Sequence, residues 1–379
     1  MQKVNNNLIV KNLFFTYDKN KKILDSNISN VNYEFEPNNV YAIIGKSGSG
    51  KSTFINSLNL INKPISGSLI LDDLIYKTKI DLNNINVEII KVNINSIIIS
   101  VDKEVNEKFL SLYINSNINN KLISIKKTKI NQSKNKNSYE IFFNLNCIND
   151  LNIINNLSTN SLFSKKNEIK NLNELRKKIS IVFQFPEEQL FKDTVEKDVI
   201  FGPLNFKIDK NIALKNAHSL LEKLHIKSNQ FNESWIHLSG GEKRKVAIAG
   251  ILIIDSKVVI FDEPTVGLDY QTKLTIFDII NDLKKQNKTI IIISHDMNSI
   301  LDIADKIILF DNNKIVFDAE PYAFFREKEI LEKNNIKLPN VINFVSKLID
   351  KNPEYNFLWE KKPKNIDELA KLINDFRRE

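Results

Sequence analysis

Residues 40–58, VYAIIGKSGSGKSTFINSL, set an apolar run, a glycine-studded loop and a second partly apolar run in that order. Such an order predicts a buried strand, a phosphate-holding loop and a helix, which is the start of an α/β fold. Gly45, Gly48 and Gly50 let backbone N–H groups of the loop and the helix N-terminus point at phosphate oxygens. Lys46, Ser47 and Ser49 complete the loop, Lys51 brings a cation to the β- and γ-phosphates, and Ser52, followed by Thr53, offers a hydroxyl to Mg²⁺. A plain glycine-rich turn is a poor alternative, because the chain holds only nine glycines in 379 residues where about 7% is usual. Six of them lie in three short loops, at Gly45, Gly48 and Gly50, at Gly240 and Gly241, and at Gly267.

The later glycine loops carry matching chemistry. LSGG at 238–241 runs into an apolar helical pattern, so a second helix N-terminus faces an anion. KVVIFDEPTVGLD at 257–269 is a buried parallel strand ending in Asp262 and Glu263, and KTIIIISHD at 288–296 is another ending at His295. At a strand's carboxyl end Asp262 suits the Mg²⁺ shell, and Glu263 suits a general base for the attacking water. Taken alone His295 reads as structural, but its place beside the other motifs favours a catalytic role.

In this order the motifs resemble those of the nucleotide-binding subunits of ABC transporters, over about 1–74 and 172–315. The resemblance implies ATP and Mg²⁺ as cofactors, adenine stacking on Tyr17, which could otherwise be an ordinary sheet aromatic, and a reach of Gln184 to Mg²⁺ and the attacking water. It also implies a head-to-tail dimer with a second ATPase subunit, a paralogue more readily than a copy. There Ser239, Gly240 and Gly241 of one subunit cap the ATP held by the other, with Asp269 close by. Two departures stand out. Glu242 and Lys245 occupy positions where the family usually has Gln and Arg, and Tyr270 stands where Pro is common after GLD.

FQFPEEQLFKDTVEKDVIFGPLNF at 183–206 is similar to the ATPases of energy-coupling-factor (ECF) transporters, especially the CbiO-like second member of the pair. That resemblance implies a motor driving uptake of a vitamin or metal ion through a transmembrane scaffold, with a separate substrate-binding membrane subunit contacted only indirectly. Phe183–Phe191 is the expected contact with the scaffold: Phe185, Pro186, Leu190 and Phe191 as apolar surface, Glu187 and Glu188 as partners for its arginines. The simpler reading makes both glutamates a solvated helix start. A conventional ABC importer ATPase is the nearest alternative. A soluble ABC ATPase acting on nucleic acid or ribosomes fits less well, given one phosphate loop, one signature and no sustained heptads; no nucleic acid partner is expected.

The expected organisation is a P-loop ABC core over 1–74 and 172–317, with a helical signature lobe at about 184–252. Lys51 and Gln184 stand 133 positions apart, so 75–171 reads as an insertion, β-rich from alternating pieces such as SIIISVD and LISIKKTKI. It carries 14 Lys and 8 Asp+Glu, hence +6 of the net +8, a charge that ordinary solvated surface accounts for. Residues 318–379 read as a C-terminal helical tail, either pairing surface or ordinary core. No run of about 18 apolar residues and no leader pattern is present, and Cys147 is the lone, inert cysteine. The expected location is the cytoplasmic face of the cell membrane, as a peripheral subunit.

Overall fold

The computed structural model of the chain describes residues 7–17, 27–64, 66–72, 74–77, 87–92, 96–101, 122–128, 137–143 and 172–377. Cys147 and much of 75–171 lie outside them. The chain divides into two compact units, one of residues 1–8, 34–61 and 171–379, the other of 9–33 and 62–170. In chain order the strands are β1 (Leu8–Phe15), β2 (Ile28–Phe35), β3 (Val40–Ile44), β4 (Ser66–Leu71), β5 (Leu74–Lys77), β6 (Val87–Val92), β7 (Ser96–Val101), β8 (Leu122–Thr128), β9 (Asn137–Phe143), β10 (Ile179–Val182), β11 (Val258–Asp262), β12 (Thr289–Ile293), β13 (Lys306–Asp311) and β14 (Lys314–Ala319).

The first unit is built on a six-stranded sheet of order β10-β11-β12-β3-β13-β14, parallel except for β14. Strands such as VYAII and TIIII are buried at every position, as a parallel sheet covered on both faces requires. On one face Val182, Phe261 and Ile292 pack with Ile248, Ile276 and Ile280 from the helices Gly240–Leu252 and Tyr270–Lys285. On the other, Ala42, Ile44, Ile307 and Leu309 join Ile300 and Leu301 of the helix Met297–Ile303.

That second core also takes in the C-terminal helices. Tyr322, Phe324, Leu331, Ile342, Leu358 and Leu369 belong to it, so residues 318–379 place much of their apolar pattern in this core. The strongly one-sided helices Asn340–Lys351 and Ile366–Phe376 still leave Phe344 and Ile366 exposed. A separate helical core, with Val195, Val199, Ala213, Leu221, Phe231 and Val246, forms the lobe around 190–252.

In the second unit β2-β1-β4-β5 form one sheet and β6-β7-β9-β8 another, the latter antiparallel throughout. The strands of the second of these sheets are VEIIKV, SIIISV, LISIKKT and NSYEIFF, all within 75–171.

Candidate active site

Because β10, β11, β12 and β3 run parallel and in register, their carboxyl ends lie along one sheet edge. Each end leads into a motif: β3 into Gly45, β11 into Glu263, β12 into His295, β10 into Gln184. A parallel sheet therefore gathers residues scattered over 250 positions without any local signal between them.

The phosphate loop has the left-handed backbone that its glycines allow. Gly45 sits at φ 150°, where a Cβ would stand 2.0 Å from the Phe310 carbonyl oxygen, so no other residue fits without displacing backbone. Gly48 and Gly50 also have positive φ, and Phe54 N–H donates to the Gly50 carbonyl as the helix Lys51–Leu58 begins. Lys51 is buried, its ammonium donating to the carbonyls of Gly45 (2.7 Å) and Lys46 (2.9 Å). Burial pushes its pKa down, opposed by the nearby Glu263 and Asp262 carboxylates. Among the described residues the buried Ser49 Oγ has no hydrogen-bond partner, a polar atom that an anion-binding loop can spare. Lys46, Ser47 and Gly48 are exposed at the loop tip, and Ser52 and Thr53 open the helix.

Asp262 has its carboxyl pushed up by burial and then by Glu263, with the Ser52 side chain pulling the other way. A hydroxyl beside a carboxylate, with phosphate oxygens to complete the shell, is an oxygen donor set of the kind Mg²⁺ takes. Beside it, Glu263 occupies a left-handed conformation (φ 50°), held by its N–H donating to the Ile293 carbonyl. Its carboxylate meets the Gln184 amide at 3.4 Å and His295 Nε2 at 3.3 Å. The residues expected to act on water are thus brought together.

Ser239 caps the helix Gly240–Leu252, and Glu242 returns the favour: its carboxylate accepts from the Ser239 N–H and hydroxyl, each at 2.8 Å, and from Gln230 Nε2 at 3.0 Å. These donors hold the Glu242 pKa below its ordinary value. Glu242 therefore has a structural role that its departure from the family pattern did not reveal. A Cβ on Gly241 would stand 3.1 Å from Thr272 Oγ1, and Thr272 in turn is held by the helix-capping Asp269. This brings the signature and Asp269 side by side. Tyr17 belongs to the second unit, where it is exposed, stands edge-on to Phe15 and accepts from Asn62 Nδ2.

The stretch 183–191 corrects one expectation. Glu187 is not free for an outside arginine, because Arg244 of the signature helix grips both its oxygens, Nε at 2.9 Å and Nη2 at 3.0 Å. Pro186 and Leu190 are also buried, the latter in the lobe core. What remains open is Phe185, Glu188 and Phe191; Phe191 stands edge-on to Phe201, with the Lys192 ammonium over both rings. Pro186–Gln189 is a 3₁₀ turn, so only Glu188 keeps the solvated character of the simpler reading. Nothing in the sequence sets Arg244 apart, since it stands between Lys243 and Lys245.

The family description "ABC transporter" matches residues 28–159 and 151–266. The energy-coupling factor transporter ATP-binding protein EcfA2 of Ureaplasma parvum is 35% identical over 97% of this chain and 93% of its own length. The EcfA2 proteins of Mycoplasmoides gallisepticum and Staphylococcus aureus MRSA252 are 34% and 31% identical over 92% and 87% of this chain, and 84% and 86% of their own. The chain belongs to the energy-coupling factor transporter ATP-binding proteins. It is an ABC ATPase whose hydrolysis of ATP serves transport. Among solved structures, cbiO1 of Clostridium perfringens superposes with a TM-score of 0.54 at 24% identity, over 89% of this chain and 98% of its own. The ATP-binding cassette MJ0796, a dimer bound to ADP and Pi, gives 0.51 at 20%, over 83% and 98%. These two likenesses concern the fold.

Proposed function

We propose that this ECF ATPase drives uptake of a vitamin or metal ion as one of two ATPase subunits, a paralogue being its partner, on the cytoplasmic face of a transmembrane scaffold. The observation that carries the catalytic part is the meeting of Gln184, Glu263 and His295 within 3.3 to 3.4 Å at the sheet edge that also holds Lys51. The phosphate loop, Gly45 to Thr53, holds the phosphates, with Lys51 leaving the Gly45 and Lys46 carbonyls for them. Ser52, Asp262 and Gln184 would hold Mg²⁺, which when bound would spread the negative charge of the phosphate oxygens.

Glu263 takes the proton of the attacking water, and His295 and Gln184 fix its carboxylate. Ser239, Gly240 and Gly241, with Asp269, face the partner's ATP. Phe185, Glu188 and Phe191 face the scaffold. Lack of a helix long and apolar enough to cross a membrane among the described residues is compatible with a peripheral subunit.

The test is purification of the tagged chain from its own membranes with identification of what accompanies it. A second ATPase chain, a polytopic scaffold and a small substrate-binding membrane protein are expected. Recovery with ribosomes or nucleic acid instead would overturn the transport reading.

A further inference from the structure

Arg244 is 98% hidden from solvent, and its planar head ties together three segments that the sequence keeps far apart. Nε and Nη2 hold the Glu187 carboxylate in the turn after Gln184, and Nη1 donates to the Val266 carbonyl at 2.5 Å, in the loop from Glu263 to Asp269. The guanidinium also lies 5.4 Å from the centre of the Phe185 ring. Arg244 itself rides on the helix that Ser239 caps.

Both loops it holds are backbone-strained. Phe185, next to Gln184, is left-handed at φ 60°, and Glu263 is left-handed at φ 50°; for bulky residues such conformations persist only where surroundings enforce them. Stability alone gives a weak reason for the arrangement. A buried ion pair is on average no better than apolar residues of similar volume, whereas removing one partner is costly. The chain holds five arginines against 49 lysines, and at 244 it uses the side chain with a rigid fork.

We infer that Arg244 is a positioning residue that makes the Gln184 turn, the Glu263–Asp269 loop and the signature helix move as one body. Resting on the ATPase reading above, this gives the chain a link in cis between the ATP it hydrolyses and the ATP it caps for its partner. Loss of the γ-phosphate at Gln184 and Glu263 then withdraws Ser239 from the other site through Glu187 and Arg244, with no need for a signal through the membrane subunits.

The test uses the intact complex in detergent, with ATPase kinetics, nucleotide affinity from a fluorescent ATP analogue, and thermal melting on the same samples. Arg244→Lys keeps the charge and loses the fork; kcat is expected to fall about tenfold while nucleotide affinity and KM stay within about twofold. Glu187→Gln is expected to behave alike. The apolar pair Glu187→Leu with Arg244→Met removes the unpaired-charge penalty and keeps the idea testable where Arg244→Met alone fails to fold. Its melting temperature is expected near the parent's while kcat stays low. Recovery of kcat together with melting temperature, or full activity in Arg244→Lys, would show Arg244 to be packing only. A parent complex that neither binds nor hydrolyses ATP would instead overturn the ATPase reading.

Discussion

His295 Nε2 stands 3.3 Å from Glu263 Oε1, an imidazole at the end of one strand facing a carboxylate at the end of its parallel neighbour. The other Glu263 oxygen is 3.4 Å from the Gln184 amide, so the carboxylate has both faces addressed by neutral or basic groups and stays aimed along the sheet edge. Glu263→Gln keeps this shape and loses the base. Turnover is expected to fall more than about 100-fold with ATP binding intact, whereas Lys51→Ala weakens binding itself; hydrolysis near the parental rate in Glu263→Gln would end the assignment.

Asp302, on the helix that follows the His295 loop, gives a pH signature. Burial first, then the negative charges of Glu368 and Asp296, push its carboxyl up to about 6, against the pull of Lys364 and Lys273. The unfolded chain titrates near the ordinary ~3.9. Between those values the folded state binds more protons, so this group makes stability fall as pH rises through that window. Asp302→Asn is expected to add about 1 kcal/mol near neutral pH, after discounting for solvent screening, and nothing below about pH 4. Urea titrations at the two pH values decide; an equal effect at both would rule out the charge as the cause.

Leu358 is fully buried in the core shared by β3, β13 and the C-terminal helices. If those helices were an appended pairing device, their disruption would spare the ATPase core. Shared burial implies instead that Leu358→Ala costs about 2–5 kcal/mol of the whole unit's stability. A single cooperative melt shifted downward, with loss of ATP binding at the same temperature, is the expected result. An unchanged ATPase melt beside a separate early transition would mean the tail folds by itself.

The site was legible where chemistry dictates residue type in a fixed local order. The phosphate loop, Asp262–Glu263 and His295 all announce themselves because a strand end, a glycine or a carboxylate is required at one spacing. Parallel pairing then does the assembly, and a parallel strand reads plainly as an apolar run. Glu187 was misread for the opposite reason. Its partner Arg244 is 57 positions away on another element, and nothing in FQFPEEQLF distinguishes a carboxylate pointing inward from Glu188 pointing out. The tail's character was undecidable for a similar reason, since an apolar helix face looks the same whether it meets its own core or a second chain.

That contrast between adjacent glutamates supplies the last prediction. Glu188 is exposed beside Phe185 and Phe191, in the surface proposed to meet the scaffold, whereas Glu187 is turned into the Arg244 fork. Glu188→Lys together with Phe191→Ser should leave folding and nucleotide binding near parental levels and reduce recovery of the scaffold in pull-downs from solubilised membranes, with compensating Arg→Glu changes in the scaffold partly restoring it. Glu187→Lys should behave differently. It sets a second cation against a buried guanidinium, and breaking a buried pair costs about 3–5 kcal/mol, so the chain is expected to melt early and to lose the scaffold only as it loses its fold. The two variants are compared at one temperature below both melts. Equal loss of scaffold by both, with parental melting in each, would mean that Glu187 faces the partner after all and that its fork with Arg244 opens in the complex.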